Sequence, residues 1–171
     1  MAKRPTEGEL GVALRDMDIV KVVYRPPDPK GPQGVSNWKP ADYLVWVRES
    51  TDAYPGKPIV GSHWFEVKDL DGWGGFPFRE LRPAQIAGIH DAARVGIPYW
   101  LCVWWRRHDE WTISDAVKVL AWREEEGHQR AVPARLVTSI PWTLLASRFG
   151  VTSSKSQLAS TLKGVITGEV D

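Results

Sequence analysis

The distribution of apolar and polar positions along the chain predicts several short strands. Residues 18–24, 42–47 and 64–68 are apolar-rich runs of strand length, and in the last of them apolar and polar side chains alternate. Residues 98–105 form a longer apolar run, which predicts a buried fourth strand, and residues 111–113 suit a short fifth one. These segments predict a sheet of at least four strands.

Apolar positions at helical spacing predict helices around this sheet. They occur at 6–16 and 83–95, in a helix capped by Ser114, and in two short helices at 141–149 and 155–166, while the charged segment 123–135 is typical of a loop. The resulting order is α-β-β-β-α-β with further elements after it. The expected fold class is α/β: a mixed β-sheet flanked by helices in one domain.

A proline-rich segment interrupts the pattern between the first two strands. Residues 26–40 contain five prolines and two glycines, which predicts an irregular loop or a projecting arm. We therefore expect a core over 1–122 that carries this arm, and a C-terminal extension of the same domain over 123–171.

Composition narrows the function classes only partly. The chain has 171 residues, 43% hydrophobic and 25% charged, without a membrane-length apolar run or a signal-like start, and Cys102 is its single cysteine. We expect a cytoplasmic protein without membrane contact. A net charge of +1 neither favours nor excludes nucleic acid. Ten tryptophans indicate a large core or a subunit interface, with one or two able to stack on DNA bases.

The strand at 64–68 carries the strongest chemical signal. A period of two places Glu66 and Lys68 on one face, and the previous strand opens with Asp42. Two carboxylates can hold Mg²⁺, and a lysine beside them can stabilise charge on a phosphate during hydrolysis. Alone, such a Glu-x-Lys triplet is usually a solvated surface pair. The four histidines show no metal-ligand spacing and are interpreted as surface or structural residues.

The order of motifs resembles a known family. An F-E-x-K strand (65–68), a Phe76-Pro-Phe78 loop, a helix with Gln85-Ile86 and an apolar strand after Gly96-Ile-Pro are similar to the RecU-type Holliday junction resolvases. Glu7-Gly-Glu-Leu10 resembles the first helix of archaeal Hjc-type resolvases. Over about residues 5–120 the chain resembles this branch of the PD-(D/E)xK nucleases, which implies a restriction-endonuclease-like fold and cleavage of four-way DNA junctions.

The resemblance assigns roles to individual residues. It implies a catalytic core of Asp42, Glu66 and Lys68, with Gln85 beside it and Glu7 completing the shell of a Mg²⁺ ion that Mn²⁺ can replace. It also implies branched DNA as the substrate, in a bacterial host cell. We expect a homodimer, because a four-way junction has near two-fold symmetry and its resolution needs two matched incisions.

Several alternatives remain open. Glu9 competes with Glu7, and Asp52 competes with Asp42 because its spacing to the Glu-x-Lys strand is closer to the family's. Residue 84 is alanine where RecU proteins often have histidine, and the arm is shorter than the RecU stalk. The substrate can therefore differ, and the alternatives are another nuclease of the superfamily or a non-catalytic DNA-binding or assembly protein.

The expected DNA contacts and the dimer interface follow from charge and aromatic content. Lys30, Lys39, Arg79 and Arg82 are expected to contact DNA phosphates. The candidate interface consists of Phe76, Phe78, Trp73 and part of the strand at 100–105, although core burial is the simpler interpretation for that strand.

Overall fold

The computed structural model describes residues 5–26, 41–47, 61–72 and 74–169, and this part of the chain contains eight strands, five α-helices and three short 3-10 helices. The strands are β1 (Val20–Tyr24), β2 (Tyr43–Val47), β3 (Gly61–Leu70), β4 (Phe76–Pro77), β5 (Tyr99–Trp105), β6 (Glu110–Asp115), β7 (Ser139–Ile140) and β8 (Gly150–Ser153). The helices are α1 (Pro5–Arg15), α2 (Pro83–Val95), α3 (Ala116–Gln129), α4 (Trp142–Arg148) and α5 (Leu158–Thr167).

Six of the strands form one mixed sheet in the order β1-β2-β3-β5-β6-β8. β1, β2 and β3 pair antiparallel, β3 pairs parallel with β5, and β5, β6 and β8 pair antiparallel. The parallel pair needs a crossover connection, and α2 lies within it. Strands β4 and β7 form a separate two-stranded sheet.

Helices cover both faces of the sheet, and each face has its own apolar core. On the α1 face, Phe65, Val67 and Cys102 pack with side chains of α1 and α5, such as Leu10 and Leu162. On the α2 face, side chains of the sheet form a second apolar core with side chains of α2, α3 and α4. This core includes Leu101, Val103, Trp105, Ile89, Val119 and Leu145. The protein is thus a single α/β domain with a mixed sheet flanked by helices, as the sequence predicted.

The predicted elements are recovered with two corrections around α3. Residues 123–135 were expected to form a loop, but α3 continues to Gln129. The predicted cap Ser114 is wrong: the carboxylate of Asp115 accepts hydrogen bonds from Val117 N at 2.9 Å and Lys118 N at 3.2 Å. Ser114 instead belongs to β6, where its hydroxyl donates to the carbonyl of Leu145.

The C-terminal segment contributes a strand that the sequence pattern did not predict. β8 pairs with β6 from Trp111↔Ser153 to Ser114↔Gly150 and forms an edge of the sheet. Residues 123–171 therefore supply part of the central sheet as well as α4 and α5. Four residues with only one strongly apolar member were too weak a signal for a strand.

The aromatic residues expected at a dimer interface lie inside one chain. Phe76 and Phe78 are 0% and 2% exposed, and Trp104 and Trp105 are also buried. The expectation of an interface at these side chains is therefore wrong, because packing in the α2-face and α1-face cores covers them. Trp73 and residues 27–40 of the predicted arm lie outside the described residues. Within the described part, no helix is long and apolar enough to cross a membrane.

Candidate active site

Glu66 and Lys68 form a nearly buried ion pair on the α2 face of β3. Glu66 is 1% exposed, and Lys68 Nζ lies 2.8 Å from Glu66 Oε1. The intervening Val67 points to the opposite core, as strand alternation requires. Because burying a charge is costly without further hydrogen bonds, this pair needs additional partners.

Gln85, in the first turn of α2, supplies those partners. Its amide nitrogen donates to Glu66 Oε1, and its amide oxygen accepts from Lys68 Nζ at 3.2 Å. The same oxygen accepts from the backbone N–H of Arg82 at 2.8 Å, which fixes the amide orientation. One side chain thus holds the carboxylate and the ammonium together, and the sequence prediction that joined Gln85 to Glu66 and Lys68 agrees with this arrangement.

Asp42 contacts the same segment of β3 from the residue just before the neighbouring strand β2. It immediately precedes β2 and is 5% exposed. Its Oδ2 accepts a hydrogen bond from Val67 N at 2.9 Å, and its own N–H donates to the carbonyl of Phe65 at 3.0 Å. The carboxylate of Asp42 is therefore anchored at the residue that separates Glu66 from Lys68.

Burial and the negative charges of Glu66 and Asp42 raise the pKa values of the same two groups. Burial raises the pKa of the Tyr99 hydroxyl and of the Cys102 thiol, and the negative charges of Glu66 and Asp42 raise both further. The thiol of Cys102 therefore stays protonated and is a core residue, as its place in an apolar run predicted. Tyr99, at the start of β5, is a buried neighbour of the site that the sequence did not single out.

The donor set fits a hard cation with few protein ligands. Among the described residues, no group of three or more His, Cys, Asp and Glu side chains is arranged to hold a metal ion. Mg²⁺, however, is commonly bound by one or two carboxylates and completes its coordination with water and substrate phosphate. Asp42 and Glu66, which flank one strand segment, would supply such a pair of oxygen ligands.

The two candidate helix acids form ion pairs with basic side chains. Glu7 belongs to α1, which covers the opposite face, and its carboxylate is 2.5 Å from the guanidinium of Arg25. The competing Glu9 lies 3.4 Å from the ammonium of Lys155. Within the described residues, neither acid joins Asp42 and Glu66 in a metal-binding group.

Two of the four basic residues expected to contact DNA belong to the part of the chain that the structure describes. Arg79 and Arg82 are exposed, and Arg82 directly precedes α2, next to Gln85. Lys30, Lys39 and the alternative acid Asp52 lie outside the described residues.

Asp69 has a role that its sequence position did not suggest. It follows Lys68 on β3, and its carboxylate accepts hydrogen bonds from Thr6 Oγ1 at 2.9 Å and from Arg106 Nε at 2.7 Å. These bonds join the start of α1 and the end of β5 to the end of β3. Strand alternation, which turns residue 69 toward α1, was the signal that could have found it.

Comparison with known proteins adds no family assignment. No protein-family model matches the sequence, and no curated protein matches it either. The functional interpretation therefore depends on the geometry of these side chains and on the motifs they belong to.

Proposed function

We propose that this chain is a metal-dependent DNA endonuclease of the PD-(D/E)xK type, with Asp42, Glu66, Lys68 and Gln85 at its active centre. The observation that carries the proposal is the nearly buried Glu66–Lys68 pair, with Asp42 hydrogen-bonded to the residue between them. A solvated surface pair, which is the usual meaning of Glu-x-Lys on a strand, would be exposed and would lack the Gln85 bridge.

The order of elements supports the same assignment. A helix, an antiparallel β1-β2-β3 meander, a crossover helix and a parallel β5 form the core around the site. This arrangement is consistent with the restriction-endonuclease-like fold that the resemblance implies. The function, however, rests on the site more than on the fold, since one fold serves many activities.

The chemistry assigned to the site is hydrolysis of a phosphodiester. Mg²⁺ bound at Asp42 and Glu66 would polarise a phosphoryl oxygen and lower the pKa of a bound water. Lys68, held by Gln85, would donate a hydrogen bond to the attacking water or to the phosphate oxygen that gains negative charge in the transition state. Because Gln85 fixes both side chains beforehand, less reorganisation is needed in the transition state.

The proposed substrate is a four-way DNA junction. This part of the proposal depends on the resemblance to RecU-type and Hjc-type resolvases, whose substrate has near two-fold symmetry. Two copies of the chain, each with one active centre, would make the paired incisions. The exposed guanidinium groups of Arg79 and Arg82 would contact the phosphates of the bound strand.

One cleavage assay tests the proposal and separates its alternatives. A labelled four-way junction and a linear duplex of equal length are incubated with Mg²⁺, with Mn²⁺ or with EDTA. The proposal expects metal-dependent incision of the junction and little cleavage of the duplex. Equal cleavage of both substrates would indicate another nuclease of this type, and binding without any cleavage would indicate a non-catalytic DNA-binding protein.

A further inference from the structure

Three large apolar side chains of the β1–β2 hairpin are exposed on one surface. Val22, Tyr24 and Trp46 have exposed fractions of 52%, 50% and 61%. Of the described tryptophans, only Trp46 is mostly exposed; the others are buried or half-buried. We name these three side chains the β1–β2 platform.

Strand register places the platform on the same face as the active centre. Val22 pairs with Trp46 and Tyr24 pairs with Leu44, so these side chains share a face. Leu44 in turn pairs with Trp64, and both pack against the α2-face core. From Trp64, alternation along β3 leads directly to Glu66 and Lys68.

The spacing between the platform and the active centre corresponds to a few nucleotides. Trp46 pairs with Ser62, which precedes Glu66 by four residues. With strands about 4.8 Å apart and about 3.3 Å per residue, Trp46 lies roughly 14 Å from Glu66. A DNA strand advances about 3.4 Å per stacked nucleotide and further when unstacked. A strand whose phosphate is at Glu66 would therefore reach Trp46 after about two to four nucleotides.

We propose that the β1–β2 platform binds unpaired bases next to the branch point of the DNA substrate, by stacking on Trp46 and Tyr24. This inference rests on the proposed nuclease function and specifies how the same site recognises its substrate. Aromatic faces stack on any base, but bases inside a paired duplex are not accessible to them. The platform therefore favours DNA whose strands separate near the cleaved phosphate.

The size of the platform argues for this occupant over a second copy of the chain. A stable protein interface involves about 20–30 residues on each side. Three exposed side chains in a strip that continues into the active centre suit a short stretch of nucleotides better.

The test measures DNA binding in Ca²⁺, whose looser coordination sphere is expected to support little cleavage. The probes are a branched DNA with unpaired nucleotides at its branch point and a linear duplex, each labelled with 2-aminopurine at single positions near the branch. For Trp46→Ala we expect about tenfold weaker binding of the branched probe and less than about twofold change for the duplex. Trp46→Phe should restore most of the affinity. In the wild type, the fluorescence of 2-aminopurine two to four nucleotides from the cleaved bond should be quenched, and Trp46→Ala should abolish this quenching.

A control variant distinguishes base stacking on the platform from a general effect of removing exposed apolar surface. Leu136→Ala removes an equally exposed apolar side chain outside the platform and should leave both affinities unchanged.

Equal loss on both probes, or unchanged binding by Trp46→Ala, would overturn the inference. So would a wild-type dimer that Trp46→Ala converts to a monomer, because the platform would then be a subunit interface. If the wild type cleaves branched DNA and Trp46→Ala binds and quenches it like the wild type, the stacking inference is refuted and the nuclease proposal stands. If 2-aminopurine is quenched but no DNA is cleaved, the nuclease proposal is refuted and the stacking inference stands.

Discussion

At the scale of single residues, the central feature is an ion pair placed where stability alone would not favour it. Glu66 and Lys68 are nearly buried, and such a pair is often no more stable than apolar residues of similar size. Retaining it together with a bridging amide is typical of a site where charge is needed. The sequence located the pair because it depends only on strand alternation.

Two matched variants identify the second metal-binding acid, which is either Asp42 or Asp52. Asp42→Asn keeps the shape of the side chain and an oxygen that can accept from Val67 N, but it removes the negative charge available to a metal. We expect Asp42→Asn to reduce the cleavage rate at least about a hundredfold, since a metal ligand stabilises the transition state by several kcal/mol. Asp52→Asn should cleave at the wild-type rate. The reverse result would assign the metal ligand to Asp52.

His63 predicts a pH dependence of stability. It is buried and its Nδ1 accepts from Trp100 Nε1 at 3.1 Å, and burial lowers its pKa from 6.5 to about 4. Below pH 6.5 the unfolded chain therefore binds a proton that the folded chain excludes. The free energy of unfolding should fall as the pH decreases from 6.5 toward 4, by up to about 3 kcal/mol from this group.

Urea unfolding at several pH values measures this contribution. His63→Gln should flatten the pH dependence between pH 6.5 and 4, whereas His90→Gln, which changes an exposed histidine of α2, should not. An unchanged slope in His63→Gln would mean that another group causes the acid destabilisation.

At the scale of elements, the sequence predicted the segments that position the site and missed those with weak or competing signals. The bounds of α2 and the alternation in β3 followed from strong periodicity. The end of α3 was missed because its last turns are charged, and exposed helix turns have no apolar pattern to detect. β8 was missed because contact with β6, and not its own composition, makes it a strand.

Gly150 makes that contact possible, which gives a prediction for the sheet edge. A Cβ at residue 150 would lie 2.1 Å from the carbonyl oxygen of Ile113, so Gly150→Ala must displace β8 from β6. We expect a loss of about 1–3 kcal/mol in the free energy of unfolding, as for other overpacked positions. Gly8→Ala, in a helix with open space around residue 8, should be neutral or stabilising. Thermal unfolding of both variants measures the difference, and equal melting temperatures would contradict the close approach.

At the scale of the whole molecule, the sequence pattern did not predict which face of the sheet each helix covers or which tryptophans are buried. The resemblance implies that Glu7 completes the metal shell, and the packing of α1 on the face opposite Glu66 pairs this acid with Arg25. Which face a helix covers is decided by tertiary packing. Similarly, the count of tryptophans could not distinguish core from interface, and most of the described ones are buried or half-buried.

The proposed paired incision predicts a homodimer. Its interface must lie outside Phe76, Phe78 and β5, since these are covered within one chain. Sedimentation at micromolar concentration should report about twice the chain mass of 19.2 kDa. A monomer that still makes paired cuts in a four-way junction would refute the dimer.

The most direct test of the central claim is the single-turnover cleavage rate of a four-way junction by Glu66→Gln in Mg²⁺. This variant is isosteric and retains an oxygen next to Gln85 and Lys68, but it removes the charge that would hold the metal. Junction binding, which depends mainly on distributed phosphate contacts, should stay within about threefold of the wild type. Cleavage should fall at least about a thousandfold. A Glu66→Gln protein that binds and cleaves the junction like the wild type would contradict the assignment of this cluster as the active centre.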